Sequence, residues 1–188
     1  KILLILTLLL FNWSCGDKVK KISEIVEVDM EMQMSNAYKE GYSELEAGDI
    51  LLAAKKFNEA ELLFPQSAWA AQSAIMAAYA YYTQDYYSDA IFELERFLIT
   101  YPNHKDEVYV HFLLGMCFYE QIIDEKKDLK SILDSKKQFE LILKEHPTTE
   151  FALDAKFKID LINEILAAKE MYIARYYLNK TKWIPALN

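Results

Sequence analysis

The sequence predicts an all-α fold, a superhelix of antiparallel helix pairs, on three observations. Turn formers are scarce: 188 residues hold four Gly and four Pro, with 53% apolar residues, too few for the many tight turns of a sandwich or barrel. Two-helix patterns recur at a fixed interval, since Gly41, Ala78 and Gly115 stand 37 residues apart in similar surroundings. Each second stretch then closes on a proline, Pro65, Pro102 or Pro147, a residue that lacks an amide and restricts its predecessor, and so stops a helix.

Taken in order, the first stretches are YKEGYSEL (38–45), IMAAYAYY (75–82) and FLLGMCFY (112–119). The second stretches are AAKKFNEAELLFP, DAIFELERFLITYP and SKKQFELILKEHP, in which Ala53, Ala90 and Ser135 correspond, as do Phe57, Leu94 and Phe139. A small residue on the first helix lets the second approach. The large residue four positions beyond the second small residue shares its helical face and fills the contact. The two small residues of a unit lie 12, 12 and 20 apart. The third unit therefore carries eight extra residues, the charged stretch around DEKKDLK (124–130). Gly48-Asp49 and Gln84-Asp85 mark the turns inside the first two units, with each Asp expected to cap the helix that follows. Thr148 or Thr149 is expected to cap the next helix. The chain then reads as helical from Glu150 to Asn179. Pro185 occupies a first-turn position, so a new helix starts near Trp183. Ala174, Tyr177 and Ala186 fit the start of a further unit, while Phe151 to Ala168 follows the period less well.

The pattern resembles the tetratricopeptide repeat: two helices, a small residue in each, an aromatic in the second and a closing proline. This chain has Phe97 where Ala60 keeps the second small residue, and Glu40 and Ala37 where that repeat favours large apolar side chains. Stacked units give an extended concave face, which in this repeat family is lined by the first helices. Positions three before, one after and four after the small residue lie about 60, 100 and 40 degrees round the helix from it, on one side. They are Tyr38, Tyr42 and Leu45; Ile75, Tyr79 and Tyr82; Phe112, Met116 and Tyr119. This stripe reads either as a groove for an extended or helical peptide with aromatic anchors or as core between units. Tetratricopeptide domains that clamp a carboxylate place Lys and Asn on this row, and Tyr, Ile and Phe stand here instead.

The chemistry of an enzyme is not visible. His104, His111 and His146 read as satisfied surface or core histidines and not as metal ligands, and neither a nucleophile elbow nor a phosphate loop occurs. No cofactor or metal is expected. The acidic pairs Glu59/Glu61 and Glu93/Glu95 read as solvated helix faces. A net charge of −8 argues against nucleic acid as a partner, because phosphate binding needs basic patches.

At the other end, a basic Lys1 precedes an apolar run from Ile2 to Phe11, and Ser14 precedes Cys15. The run is half the roughly 20 residues that span a bilayer. It reads as an export signal, either of the bacterial lipoprotein type, with Cys15 acylated, or of an ordinary type with an incidental cysteine. Asn12 and Trp13 depart from the usual lipoprotein pattern. Cys117, in LLGMCFYE, reads as a buried free thiol. The organisation expected is a signal at 1–14, a lipidated N-terminus and linker at 15–34, and a repeat domain at 35–188 cut within its last units, in a chain that is itself a piece of a longer protein.

A lipoprotein signal followed by stretched repeats is similar to one family, the repeat lipoproteins of the outer-membrane β-barrel assembly machinery. The segments that carry the resemblance are AYKEGYSELEAGDILLAAKKFNEAELLFP, AAYAYYTQDYYSDAIFELERFLITYPNH, KEHPTTEFALDAKFKIDLI and ARYYLNKTKWIPALN. The resemblance implies an anchor at Cys15 in the outer membrane, facing the periplasm, with Gly16 after it giving no inner-membrane retention signal. It implies that the N-terminal units receive the aromatic-ended C-terminal signal of unfolded barrel proteins. The C-terminal units would bind the barrel-forming insertase BamA, with other lipoproteins of the machinery as further partners. The runner-up is a repeat lipoprotein acting as a scaffold in pilus assembly or cell-envelope division. A secreted enzyme with a helical accessory array would need a catalytic domain that these residues do not contain.

Overall fold

A computed structural model describes residues 22–122 and 129–187, with side chains from Met30 onward. The proposed signal, Cys15 and most of the 124–130 insertion lie outside the described residues. Among those described, the regular elements are eight helices: α1 (Ile22–Ala47), α2 (Ile50–Leu63), α3 (Ala68–Thr83), α4 (Tyr87–Thr100), α5 (Glu107–Glu120), α6 (Leu129–Glu145), α7 (Glu150–Asn179) and α8 (Trp183–Leu187). Each packs on the next, giving the pairs α1/α2, α3/α4 and α5/α6. The first helix begins at Ile22, inside the stretch read as linker. Its further N-terminal reach follows from Ile22 to Met34, which contains neither Gly nor Pro to stop a helix.

The small-to-large contact that defines the repeat is physical. A Cβ on Gly41 would lie 3.0 Å from the Phe57 ring, and one on Gly115 would lie 2.8 Å from the Phe139 ring. In the middle unit Ala78 is tolerated because its partner is the smaller Leu94, and both are fully buried in one cluster. Phe57, Leu94 and Phe139 are inaccessible, each worth about 1.5–3 kcal/mol relative to exposure. Ser135 takes the place of Ala53 and Ala90 without an orphaned hydroxyl, since its Oγ donates to the Gly115 carbonyl at 2.9 Å. The substitution of Phe97 for Ala60 is a volume exchange. Ala60 packs with Met34 and Ala37, whereas Phe97 packs with Ala71 and Ala74, their counterparts 37 residues on.

The turns differ in one respect from the sequence reading. Asp49 caps α2, accepting from the Leu52 amide at 3.1 Å, but Asp85 does not cap α4, whose N-cap is Tyr86, without a side-chain bond. Asp85 is the counterpart of Gly48, not of Asp49. Both take positive φ, 84° for Gly48 and 63° for Asp85. Both end the preceding helix with the same pair of bonds, Asp49 N to Glu44 O and Gly48 N to Leu45 O, then Tyr86 N to Tyr81 O and Asp85 N to Tyr82 O. The carboxylate of Asp85 instead accepts from the Tyr87 hydroxyl at 2.6 Å. Thr149 does sit at the N-cap of α7, again without a capping side-chain bond, because its hydroxyl donates to the His146 carbonyl. The third unit's longer span is partly helix: α6 has 17 residues against 14 in α2 and α4.

Residues 150–179 form one helix, as expected. Its N-terminal half packs on the third unit through Ala152, Ala155 and Ile162. Its end repeats the turn that ends α1 and α3: Thr181 has φ 58°, with Lys182 N bonded to Tyr177 O and Thr181 N to Leu178 O. Thr181 lies seven residues after Ala174, as Gly48 follows Gly41 and Asp85 follows Ala78. The unit expected from Ala174 therefore has its turn and begins its second helix at α8.

Candidate functional site

The nine stripe positions separate into two groups. Tyr38 is half-buried between units, edge-on to Phe57 of its own pair and to Trp69 of the next, both at 5.3 Å between ring centres. Phe112, its counterpart two units on, contacts Phe139 at 5.8 Å and Phe151 at 5.4 Å. Trp69 and Phe151 occupy equivalent register positions, so one aromatic joint is used at both ends of the array. Ile75 is buried in the α3/α4 core and Tyr82 packs against the same cluster. Leu45 packs against Phe57 and its neighbours, and Met116 and Tyr119 pack against the third-unit core. Lys158 lies over the Tyr119 ring at 4.2 Å.

Tyr42 and Tyr79 differ from the rest, with 49% and 37% of their surface exposed. They face one another across a cavity of about 350 Å³ that Leu45, Glu46, Ile50 and Met76 help to line. A second cavity, of about 330 Å³, lies nearer the start of α1, bounded by Glu31, Met34, Ser35, Tyr38, Lys39 and Trp69. Both lie between the first helices of the first two units. The sequence stripe across three units thus becomes open surface along one seam. What closed the rest was the neighbouring helix, which periodicity on a single helix does not reveal.

Glu61 and Glu93 are buried, not solvated as the sequence reading had it. The Arg96 guanidinium of α4 grips Glu61 of α2 with two bonds, 2.9 and 2.6 Å, and its Nε donates to Glu93 at 2.9 Å. The Tyr101 hydroxyl donates to Glu61 at 2.8 Å, and Asn58 donates to Glu93 at 3.2 Å. Glu59, its side chain half-exposed, pairs with Lys56 on the same helix. The cause is the stacking of α2 beside α4, which brings Arg96, already paired with Glu93 one turn earlier on its own helix, over Glu61 of the preceding unit. The Glu61 and Glu93 carboxylates in turn push the Arg96 pKa up.

Cys117 is a buried free thiol, and burial pushes its pKa up to about 12. His111 Nδ1 lies 2.8 Å from Gln138 Oε1. His104 packs edge-on against Phe97 at 5.5 Å. Among the described residues, no group of three potential metal ligands converges, and no helix is long and apolar enough to cross a membrane.

Paired helices in register, with aromatic side chains left open on one seam, define a repeat scaffold of the tetratricopeptide kind, a class that works by binding other chains. Residues 30–188 match the family described as "YfiO: Outer membrane lipoprotein", and the chain belongs to that family. It is similar to the outer membrane protein assembly factor BamD of Caulobacter vibrioides, 33% identical over 173 residues, 92% of this chain and 56% of that protein. The BamD of Rickettsia prowazekii is 32% identical over 92% of this chain and 67% of its own length. That of Neisseria meningitidis serogroup A is 27% identical over 100% of this chain and 74% of its own length. The chain thus spans between about half and three quarters of these relatives.

Proposed function

We propose that this protein is a scaffold in outer-membrane protein assembly, working by binding and not by catalysis. On this reading the seam between α1 and α3 receives aromatic-ended segments of unfolded β-barrel proteins. The later helices meet the barrel-forming insertase and the other lipoproteins of the machinery, and acylated Cys15 holds the protein at the periplasmic face of the outer membrane. Family membership supports the compartment, and the names of the relatives support the process. The observation that carries the site is the exposure of Tyr42 and Tyr79 on facing first helices, since large aromatic surface left open in a folded domain marks an interaction site.

The test is a titration of a peptide copying the last strand of an outer-membrane protein. Tyr42→Ala with Tyr79→Ala should weaken binding by at least tenfold with the fold intact by circular dichroism. Unchanged affinity would remove the seam from the site. In a Gram-negative host the same protein should carry acyl chains on Cys15 by mass spectrometry, and an unmodified product would exclude the anchor.

A further inference from the structure

The two cavities lie end to end on the α1/α3 seam, and the charges along it are not symmetric. Met34, Tyr38, Tyr42 and Glu46 of α1 line them at intervals of four residues, about 6.0 Å each along a helix. Alternate side chains on one face of an extended strand repeat every ~6.6–6.8 Å, so an extended segment can set successive inward side chains against successive turns of α1. Trp69, Met76, Tyr79 and Thr83 form the opposite wall on α3. Lys39 lines the cavity nearer the start of α1 and forms no ion pair among the described residues, whereas Lys56 is held by Glu40 at 2.7 Å and Glu59 at 3.2 Å. Glu46 closes the other end. Glu31 also lines the first cavity, eight residues and about 12 Å of helix axis before Lys39.

Resting on the groove reading above, we propose that Lys39 is a specificity residue that pairs with the free C-terminal carboxylate of an extended, aromatic-ended ligand. The ligand's last side chain enters the pocket of Met34, Tyr38 and Trp69, and the inward side chain two residues upstream lies between Tyr42 and Tyr79. Its terminus points toward the start of α1, because the cavity at that end holds Lys39 beside Glu31, whereas the lining of the opposite one holds Glu46 and no cation. Lys39 falls outside the row read from the sequence, two positions before Gly41, and is brought to the ligand by the approach of α3.

The experiment is calorimetric titration of one aromatic-ended peptide, made as the free acid and as the C-terminal amide, into the wild-type protein and two variants. The wild type should bind the acid about threefold more tightly than the amide, the range of a half-exposed ion pair. Lys39→Gln should abolish that difference by weakening the acid alone, and Tyr42→Ala should weaken both forms equally. Equal binding of acid and amide by the wild type, or a difference that persists in Lys39→Gln, overturns the role of Lys39. If Tyr42→Ala still weakens both forms in that case, the groove itself stands. If neither form binds the wild type, groove and terminal recognition fall together.

Discussion

A glycine under a phenylalanine ring is the smallest unit of this fold. Gly41 and Gly115 have no room for a methyl group, the would-be Cβ of Gly115 lying 2.8 Å from Phe139. Ala78 has room because Leu94 opposes it. Gly115→Ala should therefore cost about 1–3 kcal/mol through overpacking, read as a lower urea midpoint at unchanged slope. Pairing it with Phe139→Leu recreates the middle unit's combination and should recover much of the loss, a coupling that a double-mutant cycle measures. Strict additivity of the two substitutions would show that ring and glycine do not act as a pair. This contact was legible in the sequence, since both partners recur at the repeat interval.

Between elements, the packing of α2 beside α4 rests on a buried charge cluster. Arg96 satisfies Glu61 and Glu93 together, so removing it leaves two acids without a countercharge. Arg96→Met should destabilise by about 3–5 kcal/mol, whereas combining it with Glu61→Leu and Glu93→Gln should restore most of the stability. Thermal unfolding of the single and triple variants checks this, and a single variant as stable as wild type would mean the cluster is incidental. The next joint has Leu98 and Gln138 in place of Glu61 and Glu93, and Leu141 in place of Arg96. Stacking of second helices therefore does not itself require ions. Glu61 stands four residues beyond Phe57, on the buried face of α2, and Glu59 does not, but α2 alone does not show that the two acids end with different partners. The difference arises when α4, whose register is set 37 residues later, lies down beside it.

At the scale of the molecule, the array is one-dimensional, with each unit stabilised by its neighbours. The far side of α7 shows what a missing neighbour looks like. Ile162 is fully buried against the third unit, while Leu153 and Phe157 are 74% and 67% exposed, because Asp160 stands where Gly41, Ala78 and Gly115 admit a second helix and the helix instead runs on to Ala174. In this chain, Leu153→Ser with Phe157→Ser should leave the melting temperature within about 2 °C, whereas Ile162→Ala should cost about 2–5 kcal/mol. Differential scanning fluorimetry separates the two cases. A large loss from the serine pair would mean that this face is covered in solution.

The sequence by itself determined the helix pairs, their register, the closing prolines, the continuous helix after Pro147 and the burial of Cys117. Each of these is written within one helix or at the fixed repeat interval, where local sterics and periodic burial decide. The tertiary structure decided which stripe residues stay open, which acids are buried, and that Lys39 borders the same seam as Tyr42 and Tyr79. Those outcomes depend on the side chain that an adjacent unit brings into contact, and that side chain is not a neighbour until the helices have stacked.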